Sequence, residues 1–303
     1  MRIRATVAAV SGALALSAFA MPAAQAADAP KVPADVAAAF KAAHSASGKT
    51  AYTATVDGEP YALDASFSNV KVNNGKNIAV GITNVVKVPV SFTLTHGADV
   101  DITASDFFAG VDLYRGPSFD ESLWDFVSDD ATCTESSATV ASCTATVEID
   151  PVELLNEDAG SWKAAAFAVA FNGEDQSDPN LDNVGVAVQD PVAAFKLQRY
   201  SKLTVNAAPE PVVKGKTITV TGKLSRANWD TSAYAGYTNQ SVKLQFRKKG
   251  SSTYTTLKTI TSDSTGNLKT TTTASVDGYY RYSFAGTTTT PAVNATGDFV
   301  DVQ

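Results

Sequence analysis

Short runs of alternating apolar and polar residues occupy the chain from about residue 50 to its end. Val, Thr, Ile, Tyr and Phe dominate these runs, while Gly, Asn, Asp and Pro separate them at regular intervals. Clear examples lie at 76–82, 88–95, 216–224, 241–247 and 278–286. Alternation of period two with regular turn signals is typical of a β-sandwich, and helical periodicity is missing after residue 48. We therefore predict an all-β fold.

The two halves of this β-rich region resemble each other in order. GKNIAV (75–80), VDLYRG (111–116) and GSWKAAAFAV (160–169) correspond to GKTITV (215–220), VKLQFR (242–247) and GYYRYSFAG (278–286). Repetition in a conserved order predicts two related domains in tandem. We place them at 48–199 and 200–303, with the sixth strand of the first domain ending at Phe171.

The first 26 residues have the pattern of a secretory signal peptide. Arg2 and Arg4 precede an apolar run from Val7 to Ala20, and a small-x-small cleavage site follows at 24–26. The apolar run is too short for a membrane span. We predict a secreted, extracellular protein with no membrane span in its mature form. Residues 27–47 form an Ala-rich lead-in whose spacing is compatible with a short helix.

The chain has two cysteines, Cys133 and Cys143. In an oxidising compartment they should form a disulfide, which closes a short loop and contributes roughly 2–3 kcal/mol. A redox-active pair is the alternative, but CxxC spacing is missing and no basic residue adjoins either cysteine to lower its pKa. We predict a structural disulfide that staples a hairpin extending beyond the first sheet.

Charge is distributed unevenly between the two predicted domains. Residues 48–199 carry 8 Lys and Arg against 23 Asp and Glu, a net charge of −15, whereas residues 200–303 carry 12 against 6, a net charge of +6. Such asymmetry suggests different partners for each half. An acidic first half argues against nucleic acid as a partner and suits divalent cations or basic surfaces. The alternative is that the charge only keeps the protein soluble.

The segment FNGEDQSDPNLDN (171–183) concentrates oxygen-bearing side chains. Their alternation matches the opening of an EF-hand-type calcium loop, but Gln189 stands where a bidentate Glu is expected. The alternative is a solvated turn, since Asp and Asn are common turn formers. We predict a weak calcium site, with a dissociation constant of about 10⁻⁴–10⁻³ M. Its candidate ligands are Asp175, Asp178, Asn180, Asp182 and Asn183.

A cluster of aromatic residues is the second candidate site. Trp229, Tyr234 and Tyr237 lie in NWDTSAYAGYTNQ (228–240), between two predicted strands of the second domain. Exposed aromatic rings in such a segment bind carbohydrate or cell-wall polymer by stacking, or anchor an extracellular protein. The alternative is that Trp229 closes one end of the sandwich core while the tyrosines cover its edge.

Catalytic motifs are missing from the sequence. GxSxG, HExxH, P-loop and dinucleotide-binding patterns do not occur, and the two histidines, His44 and His96, have no evident catalytic partner. Because carboxylates are abundant, glycoside hydrolysis by an acidic pair is the least supported alternative. We predict that the protein is not an enzyme.

One longer stretch carries a family resemblance. NAAPEPVVKGKTITVTGKLSRANWD (206–230), with the later SDSTGNLKT and YRYSFAG, resembles the C-terminal immunoglobulin-like domain of secreted bacterial proteins, several of which carry a calcium-binding label. The resemblance covers 200–303 and implies tandem immunoglobulin-like β-sandwiches. The resemblance says less about function than about fold, because immunoglobulin-like sandwiches have many different functions. We predict a secreted, non-enzymatic binding or structural module.

Overall fold

The computed structural model describes residues 60–119, 122, 124–176 and 178–303. The predicted signal peptide (1–26) and lead-in (27–47) lie outside the described residues. Within the described ranges, no helix is long and apolar enough to cross a membrane.

Among the described residues the first sandwich has ten strands, and short 3-10 helices lie at Asn73–Gly75, Asn156–Asp158 and Leu181–Asn183. The strands are β1 (Tyr61–Ala62), β2 (Ala65–Val72), β3 (Ile78–Val80), β4 (Val86–His96), β5 (Phe107–Arg115), β6 (Trp124–Val127), β7 (Thr132–Ser137), β8 (Val140–Ile149), β9 (Gly160–Ala170) and β10 (Gly185–Arg199).

These strands form two sheets. One has the order β2-β4-β8-β7, and the other has the order β1-β10-β9-β5-β6 with β3 also paired to β10. The first order corresponds to strands A, B, E and D of an immunoglobulin sandwich, and β10, β9, β5 and β6 correspond to G, F, C and C′. The apolar side chains of β4 show why the sheets stack, since Val88, Val90, Phe92 and Leu94 are buried and the residues between them are exposed or half-buried.

The second sandwich begins one residue after β10 ends. Its strands are β11 (Ser201–Leu203), β12 (Asn206–Ala208), β13 (Thr217–Asn228), β14 (Ala233–Gly236), β15 (Ser241–Lys248), β16 (Thr255–Thr261), β17 (Asn267–Thr273), β18 (Gly278–Phe284), β19 (Val293–Asn294) and β20 (Asp298–Val300). In one sheet β11, β12, β14 and β17 all pair with β13, and the other sheet has the order β16-β15-β18-β19 with β20 also paired to β18.

This second arrangement is again that of an immunoglobulin sandwich. Strands β12, β13 and β17 occupy the places of A, B and E, and β16, β15, β18 and β20 occupy those of C′, C, F and G. The core between the sheets includes Ile218, Leu244 and Tyr282, all fully buried. The prediction of an all-β chain with two tandem immunoglobulin-like sandwiches is therefore confirmed.

Two local expectations need correction. The segment 75–80 contains β3, which runs parallel to β10, whereas 215–220 leads into β13, an antiparallel central strand. The two segments share a sequence pattern but occupy different places in their sandwiches. The Cys133–Cys143 disulfide is confirmed, and it joins directly paired residues of β7 and β8. That hairpin is the D–E pair of the sheet, so it does not extend beyond the sheet as predicted.

Candidate functional site

The acidic loop lies at the tip of the first sandwich, between the end of β9 and the start of β10. All five candidate calcium ligands, Asp175, Asp178, Asn180, Asp182 and Asn183, are exposed. The loop lies at a sandwich tip because it follows β9, the F strand, whose carboxyl end meets the neighbouring turns there.

Hydrogen bonds within the loop are centred on Glu174. Its carboxylate accepts from the Asn180 backbone N–H (3.1 Å) and from the Asn183 side-chain amide (2.7 Å). The Asn180 side chain in turn accepts from Asp182 N at 3.3 Å. A carboxylate surrounded by N–H donors satisfies the loop internally, as in a capped turn. Calcium would have to displace these bonds to reach the same oxygens.

The fold brings further carboxylates to the same tip, which sequence spacing alone does not reveal. Asp64, Asp99, Asp101 and Asp106 line a cleft of about 300 Å³ beside the loop. Asp106 accepts from Gly173 N at 2.6 Å and so ties the loop to the turn before β5. In the described part of the chain, however, no three His, Cys, Asp or Glu side chains lie close enough together to hold a metal ion.

Two other aspartates of the first sandwich, Asp129 and Asp130, accept hydrogen bonds from backbone N–H groups. Asp130 Oδ1 accepts from Ala109 N at 3.2 Å, and Asp129 Oδ1 accepts from Thr146 N at 2.5 Å. Burial raises the pKa of Asp130. Asp190 accepts from the Tyr114 hydroxyl and from Phe119 N. These carboxylates therefore serve as acceptors within the first sandwich.

Trp229 lies at the joint between the two sandwiches. Its side chain is 0% exposed and packs into the core of the first sandwich, although the residue belongs to the second. The indole Nε1 donates to the carbonyl oxygen of Gly81 at 2.8 Å. A ring enclosed in this way has no face for a ligand, so its position matches neither the predicted binding role nor the alternative of a plug in its own domain.

Hydrogen bonds surround the buried indole. The Asn156 side chain accepts from Trp229 N (3.0 Å) and donates to Asn228 Oδ1 (2.8 Å). Asn156 N donates to Asp230 Oδ1 at 2.9 Å. On the other side of the joint, Arg199 Nε donates to the Ala227 carbonyl at 2.6 Å. Burial, and then the nearby Arg226, lower the pKa of Arg199 to about 10. Residues 227–230 of the second sandwich are thus hydrogen-bonded to several separate segments of the first.

Tyr234 and Tyr237, the other predicted ligand-binding aromatics, are half-buried. The ammonium of Lys202 lies 3.6 Å from the centre of the Tyr234 ring, and the guanidinium of Arg226 lies 3.9 Å from that of Tyr237. Tyr237 also packs edge-on against Phe284, with ring centres 5.7 Å apart. Each ring therefore already has a cation on one face, and the structure does not assemble these three aromatics into a single exposed platform.

A different aromatic group lies on the outer face of the second sandwich. Arg281 stacks on Tyr254 at 3.8 Å, and Arg247 stacks on Tyr279 at 3.8 Å, measured from guanidinium carbon to ring centre. Phe299 lies 5.2 Å from Tyr279, centre to centre. The alternation of β15 and β18 marks these positions as outward-facing. It does not reveal which rings and guanidiniums become neighbours, because that depends on strand register.

No protein-family model matches the chain, and no curated protein matches it. Among solved structures it is similar to the Yersinia pseudotuberculosis adhesin InvE (13% identity over 78% of this chain and 60% of that chain, TM-score 0.25). It is also similar to the mouse nectin-like molecule 4 ectodomain (14%, 80% and 65%, TM-score 0.22) and to Dpr2 Ig1-Ig2 in complex with DIP-Theta (11%, 77% and 98%, TM-score 0.27). The chain spans less than two thirds of the length of the InvE and nectin-like molecule 4 chains. TM-scores this low carry no functional argument, and the fold class rests on the strand orders.

Proposed function

We propose that the protein is a secreted, non-enzymatic module that holds two immunoglobulin-like sandwiches as one rigid unit for an extracellular binding or structural role. The joint carries this proposal. An independent pair of domains would keep Trp229 at its own surface or in its own core, whereas here the indole lies in the core of the neighbouring sandwich. A buried apolar side chain shared between two domains restricts their relative motion.

The residues at the joint also explain why the contact is specific. Burial of the indole supplies apolar contact, and the Gly81 carbonyl supplies the acceptor that a buried indole N–H needs. Asn156 satisfies polar groups of Asn228, Trp229 and Asp230 together. Removing the Asn156 side chain would take an acceptor from the part-buried Trp229 N–H and a donor from half-buried Asn228, and the loss of a typical hydrogen bond costs about 0.5–1.5 kcal/mol.

Differential scanning calorimetry and small-angle X-ray scattering test the proposal. We expect the native protein to unfold in a single calorimetric transition. Its scattering curve should fit one fixed arrangement of the two sandwiches. Trp229→Ala should destabilise the joint by about 3–5 kcal/mol. The double variant Trp229→Ala with Asn156→Ala should unfold in two calorimetric transitions, and its scattering should require a range of arrangements of the two sandwiches. Tyr200→Ala is the matched control, because Tyr200 lies at the same junction but is 46% exposed. Two separate transitions in the native protein would contradict the proposal.

Calcium binding by the 171–183 loop is a separate proposal within the same function. Its support is the concentration of carboxylates at one tip, where the loop meets Asp64, Asp99 and Asp106. A cation there would reduce the repulsion among these groups. Because the loop is internally hydrogen-bonded, we expect weak affinity, about 10⁻⁴–10⁻³ M, as is usual for extracellular modules.

A further inference from the structure

The outer face of the β16-β15-β18-β20 sheet has an unusual composition. Along β15 and β18, buried Val242, Leu244, Tyr280 and Tyr282 alternate with residues that point away from the core. Pairing then fixes three rows across the outward side: Lys243 with Ser283, Gln245 with Arg281, and Arg247 with Tyr279. The row of Tyr279 continues to Phe299 on β20. We call the set Arg247, Tyr254, Tyr279, Arg281 and Phe299, with Lys243 and Lys249 at its margins, the arginine–aromatic face.

Stacking holds the two guanidiniums of this face in fixed positions. The Arg247 guanidinium carbon lies 3.8 Å from the centre of the Tyr279 ring and 5.4 Å from that of Tyr254, and the Arg281 guanidinium carbon lies 3.8 Å from the centre of the Tyr254 ring. Lys249 lies 5.2 Å from Phe299. A planar guanidinium on an aromatic ring is weakly hydrated and preorganised, so less entropy is lost when it binds an anion.

Neither guanidinium is neutralised by an acid in the described part of the chain. Arg281 Nε donates to Gln245 Oε1 at 2.8 Å, and Arg247 Nη1 donates to the Ser251 carbonyl at 2.8 Å. Both acceptors are uncharged. A guanidinium has five N–H donors, so each arginine keeps donors for a ligand. Lys249, at the margin, does form an ion pair with Asp277 at 3.2 Å.

From this geometry we infer that the arginine–aromatic face binds a linear polysaccharide that carries anionic groups. Paired guanidiniums recognise carboxylate, phosphate or sulfate through bidentate hydrogen bonds. The half-exposed rings beside them supply flat apolar edges for sugar units. A single-stranded nucleic acid also offers phosphates, but its bases bind by stacking on open ring faces, and a guanidinium already lies 3.8 Å from the centres of both the Tyr254 and the Tyr279 ring. The inference rests on the proposed binding role but not on the rigidity of the joint.

Affinity electrophoresis or titration calorimetry with the mature protein tests the inference directly. Polygalacturonate is the carboxylate probe, dextran sulfate the sulfate probe, neutral dextran the uncharged control, and single-stranded DNA the nucleic-acid control. We expect binding to one or both anionic polysaccharides, weakening as salt is added, and none to neutral dextran. Equal binding to neutral dextran, or tighter binding to DNA than to either polysaccharide, would overturn the inference.

Substitutions then locate the site. Arg247→Ala and Arg281→Ala should each weaken binding about tenfold, which is about 1.4 kcal/mol, because each removes a charge-assisted hydrogen bond. Lys223→Ala and Lys269→Ala each remove one positive charge from an exposed position of the opposite sheet, and each should leave affinity within about twofold. Arg247→Lys with Arg281→Lys keeps the charge but loses the planar fork, and should weaken binding even where the alanine variants fail to fold. If neither the alanine nor the lysine substitutions of Arg247 and Arg281 change the affinity, or if the Lys223 and Lys269 controls lose as much affinity, the polysaccharide binds elsewhere.

Discussion

At the scale of single residues, Asp263 shows how a turn can make stability depend on pH. Its carboxylate accepts from Thr265 N (2.8 Å), Thr265 Oγ1 (2.8 Å) and Asn267 N (2.9 Å) in the turn between β16 and β17. Hydrogen bonds to the ionised form, above all from Thr265, lower the pKa of Asp263 to about 2. An aspartate in an unfolded chain has a pKa of about 3.9.

The sign of the resulting pH dependence follows from the lowered pKa. The folded pKa lies below the unfolded one, so the stabilisation is fully present above about pH 4 and is lost as pH falls towards 2. We predict that Asp263→Asn lowers the urea midpoint most above pH 5, and that its difference from the native protein disappears near pH 2. Urea unfolding measured from pH 2 to 7 checks this.

A control variant distinguishes the loss of the Asp263 hydrogen bonds from the loss of one negative charge. Glu210→Gln removes an exposed carboxylate that has no described hydrogen bond. Its difference from the native protein should stay small at every pH tested. A difference for Asp263→Asn that grows as the pH is lowered would contradict the assigned sign.

Trp229 marks the limit of what a residue's type can reveal. The sequence predicts Trp229, Tyr234 and Tyr237 as ligand-binding residues, because exposed aromatic rings between strands stack on sugars or anchor a protein partner. Large aromatics are usually mostly buried, and Trp229 is. The sequence could not show which core would bury it, because the Gly81 carbonyl that receives the indole N–H lies 148 residues earlier in the chain. The same limit hides the arginine–aromatic face, whose stacked pairs come from different strands.

At the scale of elements, the alternation of apolar residues predicted strands well and their partners poorly. Both β3 and β13 arise from similar sequences, yet β3 pairs in parallel with β10 and β13 is a central antiparallel strand. Both strands bury one face, so the same alternation of apolar and polar residues is compatible with a parallel or an antiparallel neighbour. Pairing is decided by contacts between distant segments, which a local pattern does not contain.

The cysteine hairpin was predictable because its two residues are close in sequence. Cys133 and Cys143 face each other across β7 and β8, and β7 is an edge strand whose residues are mostly exposed. A covalent link at an edge limits the fraying that an unprotected strand undergoes. We predict that Cys133→Ser with Cys143→Ser lowers the free energy of unfolding by about 2–3 kcal/mol.

Hydrogen exchange gives this prediction a local signature. Backbone amides of β7 should exchange faster in the double variant, while those of central strands β5 and β9 should change only as much as global stability requires. Treating the native protein with a reductant should reproduce the same pattern. Equal acceleration across both sheets would show that the disulfide acts on the whole sandwich and not on its edge.

At the scale of the whole molecule, the sequence correctly indicated a chain whose two halves differ in charge. Residues 48–199 have 8 Lys and Arg against 23 Asp and Glu, and the structure gathers several of the carboxylates at the tip opposite the joint. Asp64, Asp99 and Asp106 reach that tip from turns far from the 171–183 loop in sequence. Repulsion at this tip makes any cation stabilising, so ionic strength and specific calcium binding must be separated.

We predict that calcium raises the melting temperature more than sodium chloride does at equal ionic strength, with the excess saturating at about 1–10 mM calcium. Asp178→Ala with Asp182→Ala should remove the excess, because both carboxylates belong to the loop. Glu135→Ala with Glu153→Ala is the matched control, since it removes two exposed carboxylates elsewhere in the same sandwich. That control should keep the calcium-specific part and change only the response to salt. If calcium and sodium chloride give equal shifts, screening accounts for the effect, and Glu174 keeps its bonds to Asn180 and Asn183 in the presence of the cation.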